Sequence, residues 1–156
     1  IEDALGGAEV LPDNGFAAKE DIIQAAGTRW IHIGGHTRHH VNTAREETDD
    51  LEKQISTNRT TLQEWTGQDI DWFAYPYGGQ PHWDNMSQDV VRKCGFEGAV
   101  TTVKGYVGEP EDIYAVPRWC VPLTWDLPRF KFGASCLHTA EAISRMKRRL
   151  FSLIRQ

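Results

Sequence analysis

Trp30-Ile31-His32-Ile33-Gly34-Gly35-His36-Thr37-Arg38-His39-His40 is the stretch on which the reading of this chain turns. An apolar, strand-like Trp-Ile-His-Ile runs into two glycines, which release a polar run containing three histidines. Four of the six histidines of the chain lie between positions 32 and 40. A strand fixes where the following loop begins, glycines let the backbone turn sharply, and neutral imidazole is the commonest metal ligand. His36 and His40 are four apart, so one turn of helix or a tight loop aims both rings at one point. His32 alternates into the strand and His39 is expected to point elsewhere, so neither counts as a ligand. Plain surface histidines at a strand end are the alternative, and this stretch alone leaves both open. The zinc-protease pattern is excluded, because it needs Glu directly after the first histidine and Thr37 stands there.

Working outward, strand and helix patterns alternate. Ala17 to Ala26 reads as a short helix stopped by Gly27, and Trp30–Ile33 as a strand. Thr43-Ala44-Arg45-Glu46 has the form of a capping box, opening a helix whose Leu51, Ile55, Leu62 and Trp65 keep one face until Gly67. Asp49 and Asp50 suit the N-terminal half of that helix and read as a solvated face rather than a carboxylate pair. The glycosylation-type triplet Asn58-Arg59-Thr60 falls mid-helix and reads as chance. Trp72-Phe73-Ala74-Tyr75-Pro76-Tyr77-Gly78-Gly79 is a second strand, Trp72–Tyr75, ending in a loop. Its Tyr-Pro-Tyr-Gly makes a rigid turn with exposed amides, which is either an anion-stabilising device or an ordinary β-turn. Asp84 to Lys93 reads as a helix closed by Gly95, Gly98–Thr102 as a strand, Gly105–Glu111 as a polar loop, and Val116–Val121 as extended chain. This alternation predicts an α/β fold with parallel strands and outer helices. Active residues in such folds gather at the strand C-terminal ends, where both stretches deliver theirs.

The 156 residues suffice for one domain with a core. No run approaches the roughly 20 apolar residues of a membrane span. A formal net charge of -5 argues against a general nucleic-acid binder. Cys94, Cys120 and Cys136 are odd in number and lack metal-site spacing. Residues 1–16 read as loop, and the true N-terminus is expected upstream of Ile1. Leu127–Gly133 reads as a short helix or turn. Thr139 to Ile154 is an amphipathic helix whose Arg145, Lys147, Arg148 and Arg149 form either a solvated face or a contact with an anionic membrane surface or partner, self-association included. The expected division is therefore 1–16, 17–132 and 133–156.

Gly-Gly-His-Thr-Arg-His-His, Phe-Ala-Tyr-Pro-Tyr-Gly and Tyr114-Ala115-Val116-Pro117-Arg118, in that order, resemble the polysaccharide deacetylases, the NodB-homology proteins of carbohydrate esterase family four. The first is similar to the family's His-[Ser/Thr]-x-x-His-Pro motif, with Val41 in place of proline. The second is similar to its Arg-x-Pro-Tyr motif, with Ala74 in place of arginine. The resemblance spans about Lys19 to Phe132 and implies a partial, distorted (β/α) barrel. It further implies a divalent metal, most often zinc, held by His36 and His40, with the Tyr77 amide helping to hold an oxyanion. Arg118 would supply the missing motif charge, or else form a structural ion pair. Trp83 and Trp125 are candidate sugar-stacking residues, as is Trp119, although each has a core role as its alternative. The implied substrate is an acetylated polysaccharide or oligosaccharide, N- or O-acetylated, and the implied setting is the bacterial cell envelope or the exterior.

The family's Phe-Asp-Asp segment, which carries the base and the third ligand, has no counterpart in residues 1–30. No clear Leu-x-His motif marks a general acid, and His138 sits in the wrong register. Two functions are therefore carried forward: a metal-dependent deacetylase, and a catalytically incomplete NodB-like domain that binds carbohydrate or metal. With two histidines only, this chain by itself is expected to bind zinc weakly, to hydrolyse little, and to leave a strand edge open near Trp30–Ile33.

Overall fold

The computed structural model describes residues 16–105 and 112–134. Helix α1 covers Lys19–Ala26 and α2 Thr48–Thr66, followed by strand β1 at Trp72–Ala74, helix α3 at Asn85–Lys93 and strand β2 at Gly98–Val100. Residues 127–134 are helical as well. The expected basic helix Thr139–Ile154, with His138 and Cys136, lies outside the described residues.

Helix α2 follows its sequence pattern. Leu51 and Ile55, one turn apart, are fully buried, and Leu62 packs partly against the same cluster. Gly67 takes the left-handed φ of 66° and sends its N–H to the Gln63 carbonyl, which ends the helix as expected. Asp49 and Asp50 lie exposed in its first turn, the position the helix dipole favours for acids. The start differs from the sequence reading. Thr43 opens a short 3₁₀ turn capped by the Asn42 side chain, and α2 begins only behind Glu47. The Thr43 hydroxyl, fully buried, donates instead to the His82 carbonyl at 2.9 Å. Thr43 is thus tied to a distant loop and caps no helix of its own. Helix α3 keeps its reading, with Asp84 as the capping residue and Ser87 completing the box.

Strands β1 and β2 are parallel, with Trp72 opposite Gly98 and Ala74 opposite Val100. Gly35 adds a parallel bridge to Phe73 on one side, and Val116 adds one to Val100 on the other. Four chain segments thus lie side by side in the order Gly35, β1, β2, Val116, and all run the same way. The expected strand at Trp30–Ile33 does not form. Among the described residues, pairing on that side is confined to Gly35, whose N–H reaches the Trp72 carbonyl at 2.8 Å and whose carbonyl accepts from Ala74 at 2.8 Å. Trp30 is 77% exposed. With no backbone among the described residues paired to it, an apolar run alone does not make a strand.

The glycines account for the point of contact. A Cβ at Gly34 would stand 2.8 Å from the Trp72 carbonyl oxygen, and one at Gly35 would stand 2.6 Å from the Phe96 ring. Only bare backbone brings the chain this close to β1. Beneath it Phe73 packs edge-on to both Tyr75 and Phe96, with Ile70, Val90, Val91 and Ala99 around them. Burying each large side chain contributes about 1.5–3 kcal/mol. Arg59 ties α2 to the sheet, donating to the carbonyls of Ile70 at 2.9 Å and Cys94 at 3.2 Å.

Candidate active site

The loop after Gly35 is held against α2 through its backbone. The N–H of His36 donates to Asn58 Oδ1 at 2.9 Å, that of Arg38 to the Gln54 carbonyl at 3.1 Å, and that of His39 to Gln54 Oε1 at 3.1 Å. Asn58 therefore works as an anchor for the histidine loop. Among the described residues three non-glycine residues adopt positive φ: Thr37 at 61°, His40 at 54° and Tyr77 at 62°. Such conformations persist only where the surroundings over-determine them, and all three lie in the two loops at the C-terminal ends of neighbouring strands.

These loops bring His36, His40 and Tyr77 together. The rings of His36 and His40 lie 4.9 Å apart, and that of His40 lies 4.7 Å from Tyr77, both pairs edge to face. His36 Nδ1 is 2.6 Å from the Ala74 carbonyl. A carbonyl only accepts, so Nδ1 carries the proton and Nε2 presents its lone pair. Crowding by protein lowers the His36 pKa first of all. The Ala74 hydrogen bond works against that shift, while the positive charges of His40 and Arg118 add to it. The outcome is an imidazole biased toward its neutral, electron-donating form. Arg118 donates from Nε to the Thr101 carbonyl at 2.6 Å and lies close enough to His36 for its charge to be felt. The backbone N–H of Tyr77 donates to nothing among the described residues, although its neighbours Gly78 and Gly79 are both bonded.

The tryptophan candidates make other contacts. Trp83 stacks on Tyr75 at 5.4 Å and donates its ring N–H to the Gly78 carbonyl at 3.0 Å, so it braces the loop. Trp125 packs edge-on to Trp119 at 5.4 Å, and Gly133 lies against both rings. No ring contact among the described residues joins either tryptophan to the histidines. His82 enters the neighbourhood unannounced, its ring 5.1 Å from that of Tyr77. Nothing in the local sequence marks it, since its place depends on the turn between Gly79 and Trp83.

Two features fit a metal of the zinc type. The imidazoles converge, and the Nδ1–H of His36 bonds a backbone carbonyl, the outer partner that a metal-bound histidine ordinarily has. Among the described residues no group of three or more His, Cys, Asp or Glu side chains converges on one point.

Parallel strands that deliver paired imidazoles, a cation and an unbonded amide to one end define a strand-end site of the kind α/β enzymes carry. The sequence profile of the polysaccharide deacetylase family matches residues 11–99, more than half of the chain. The chain belongs to that family. No curated protein matches it by sequence. Among solved structures it resembles a polysaccharide deacetylase of Bacillus cereus, at a TM-score of 0.63 and 20% identity over 73% of this chain and 35% of that one. IcaB of Ammonifex degensii matches at 0.58 and 22% identity, over 68% of this chain and 48% of that one. A de-N-acetylase of Aggregatibacter actinomycetemcomitans matches at 0.61 and 14% identity, over 81% of this chain and 57% of that one. At these identities the likeness is one of fold. The chain spans from about a third to a little over half of each of the three structures.

Proposed function

We propose that this chain carries part of the site of a metal-dependent deacetylase acting on an acetylated polysaccharide or oligosaccharide, through an amide or an ester bond. The observation that supports it most is the convergence of the His36 and His40 rings at 4.9 Å, with His36 oriented by the Ala74 carbonyl, beside the unbonded Tyr77 amide. His36 and His40 would hold the divalent metal, with zinc the natural choice for imidazole donors. When bound, such an ion polarises an acyl carbonyl and makes water a nucleophile near neutral pH.

The chain's own groups have separable parts in this reading. Tyr77 donates its N–H toward the negative oxygen that develops as the acyl carbon becomes tetrahedral, a contact preorganised by the left-handed Tyr77 backbone. Arg118 contributes a fixed positive charge that His36 feels, adding to the effect of burial on that ring, and favours an anionic partner in the same corner.

The test is zinc titration by calorimetry, run together with acetate release from an acetylated chito-oligosaccharide and an acetylated xylan. His36→Ala and His40→Ala should each weaken zinc binding by at least tenfold. Unchanged zinc affinity in both variants would end the metal assignment. Oligosaccharide binding without any acetate release would favour the non-catalytic, carbohydrate-binding reading.

A further inference from the structure

We infer that His82 contacts substrate in this site: its imidazole and the Tyr77 ring form a shelf that takes one pyranose unit of an acetylated oligosaccharide, next to His40. The inference rests on the carbohydrate reading proposed above and adds a residue to it.

The loop from Tyr77 to Trp83 is bonded on nearly every inward-facing group. The Tyr77 carbonyl accepts from Thr102 Oγ1 at 3.0 Å, and the Gly78 carbonyl accepts from the Thr102 N–H at 2.8 Å and from Trp83 Nε1 at 3.0 Å. The His82 N–H donates to the Gly79 carbonyl at 2.8 Å. The His82 carbonyl accepts from Thr43 Oγ1 at 2.9 Å and from the Ala44 N–H at 3.2 Å, which locks this loop to the end of the histidine loop. A Cβ at Gly78 would collide with Thr102 at 2.6 Å, so the turn packs directly against that residue. A loop this constrained holds its side chains in place before any ligand arrives, which lowers the entropy lost on binding.

The polar groups left over point to what it binds. His82 Nδ1 lies 3.0 Å from the Gly79 carbonyl, so the proton sits on Nδ1 and Nε2 is an acceptor. Neither Nε2 of His82 nor the Tyr77 hydroxyl has a partner among the described residues. Tyr77 is 57% exposed although its backbone is held at a positive φ. The two rings lie 5.1 Å apart, tilted by 39°, and Tyr77 also meets His40 at 4.7 Å. Packing needs alone would be met by an apolar side chain turned inward. An aromatic face edged by one free hydroxyl and one free acceptor matches a sugar ring, which has an apolar C–H face and a rim of hydroxyls. Because Tyr77 touches both His82 and His40, a sugar on this shelf carries its acetyl group toward the paired histidines.

The experiment follows the histidine and tyrosine ring signals of the chain by ¹H–¹³C NMR while N-acetylchitotetraose is added. The His82 and Tyr77 rings should shift saturably, and the exposed His39 ring should not. His82→Ala should weaken binding about tenfold, the loss of one hydrogen bond and one ring contact, and His82→Gln, which keeps a polar group, should retain more of it. A silent His82 ring, a His82→Ala variant that binds like the parent, or no saturable binding at all would overturn the inference. Should His82→Ala misfold, the titration of the parent decides alone. Acetate measured on the same samples separates the two ideas. Binding at the shelf without release supports the shelf, and release with a silent His82 ring refutes the shelf only.

Discussion

Replacing Gly35 by alanine adds one methyl group at the point where the histidine loop leaves the sheet. The new Cβ would lie 2.6 and 2.8 Å from two carbons of the Phe96 ring and 3.2 Å from Phe73. Carbon atoms attract best at about 3.5–4.0 Å, so something has to move by about 1 Å. Phe96 cannot give way freely, because it is 2% exposed and wedged between Phe73 and the Arg59 guanidinium. If the backbone retreats instead, it stretches both 2.8 Å hydrogen bonds to β1 and draws His36 away from the Ala74 carbonyl. Overpacking of this kind costs about 1–3 kcal/mol. Alanine in place of glycine recovers about 0.4–1 kcal/mol by narrowing the unfolded ensemble. The net expectation is a loss of about 1–2 kcal/mol, read as a lower urea midpoint with an unchanged slope. Gly27→Ala is the control, since its nearest contact would be an ordinary 3.4 Å and its φ is not positive. It should be neutral or slightly stabilising. A Gly35→Ala protein as stable as the parent would refute the claim that close packing at Gly35 sets the position of the site.

Asn58→Ala should cost about 1 kcal/mol and reduce zinc affinity, because the His36 N–H loses its acceptor, while Asn58→Asp should stay near the parent in urea unfolding. Stability should fall as pH drops below about 6.5. The folded His36 pKa lies below the ordinary value of 6.5, so the unfolded chain takes up the proton first, and this contribution, complete above that pH, is lost toward the folded value. His36→Gln should flatten that part of the pH profile, and an unchanged profile would count against the crowding of the ring. Gly67→Ala should cost about 1 kcal/mol from its left-handed φ alone, since nothing lies near its Cβ; thermal unfolding would show it.

The sequence by itself carried the local rules. Helix faces at Leu51 and Ile55, the stops at Gly67 and Gly95, the helix from Asp84 to Lys93 and the parallel α/β order are all written in short-range patterns. They depend on backbone geometry and side-chain period, which a few neighbouring residues dictate. That His36 and His40 would lie together was legible from their spacing, and the family was legible from its resemblance to the polysaccharide deacetylases. Tertiary structure decided what depends on distant partners. Thr43 gave up its capping box because the His82 carbonyl, 39 residues away, offered a buried acceptor. Trp30–Ile33 did not become a strand, because a strand exists only where another backbone pairs with it, and that pairing began at Gly35. Trp83 was drawn into packing by Tyr75 and Gly78, while His82 was carried to the side of Tyr77. Neither outcome has a local signature, because hydrogen bonds and ring contacts across the sheet are set by which loops share a strand end, and spacing along the chain does not encode that.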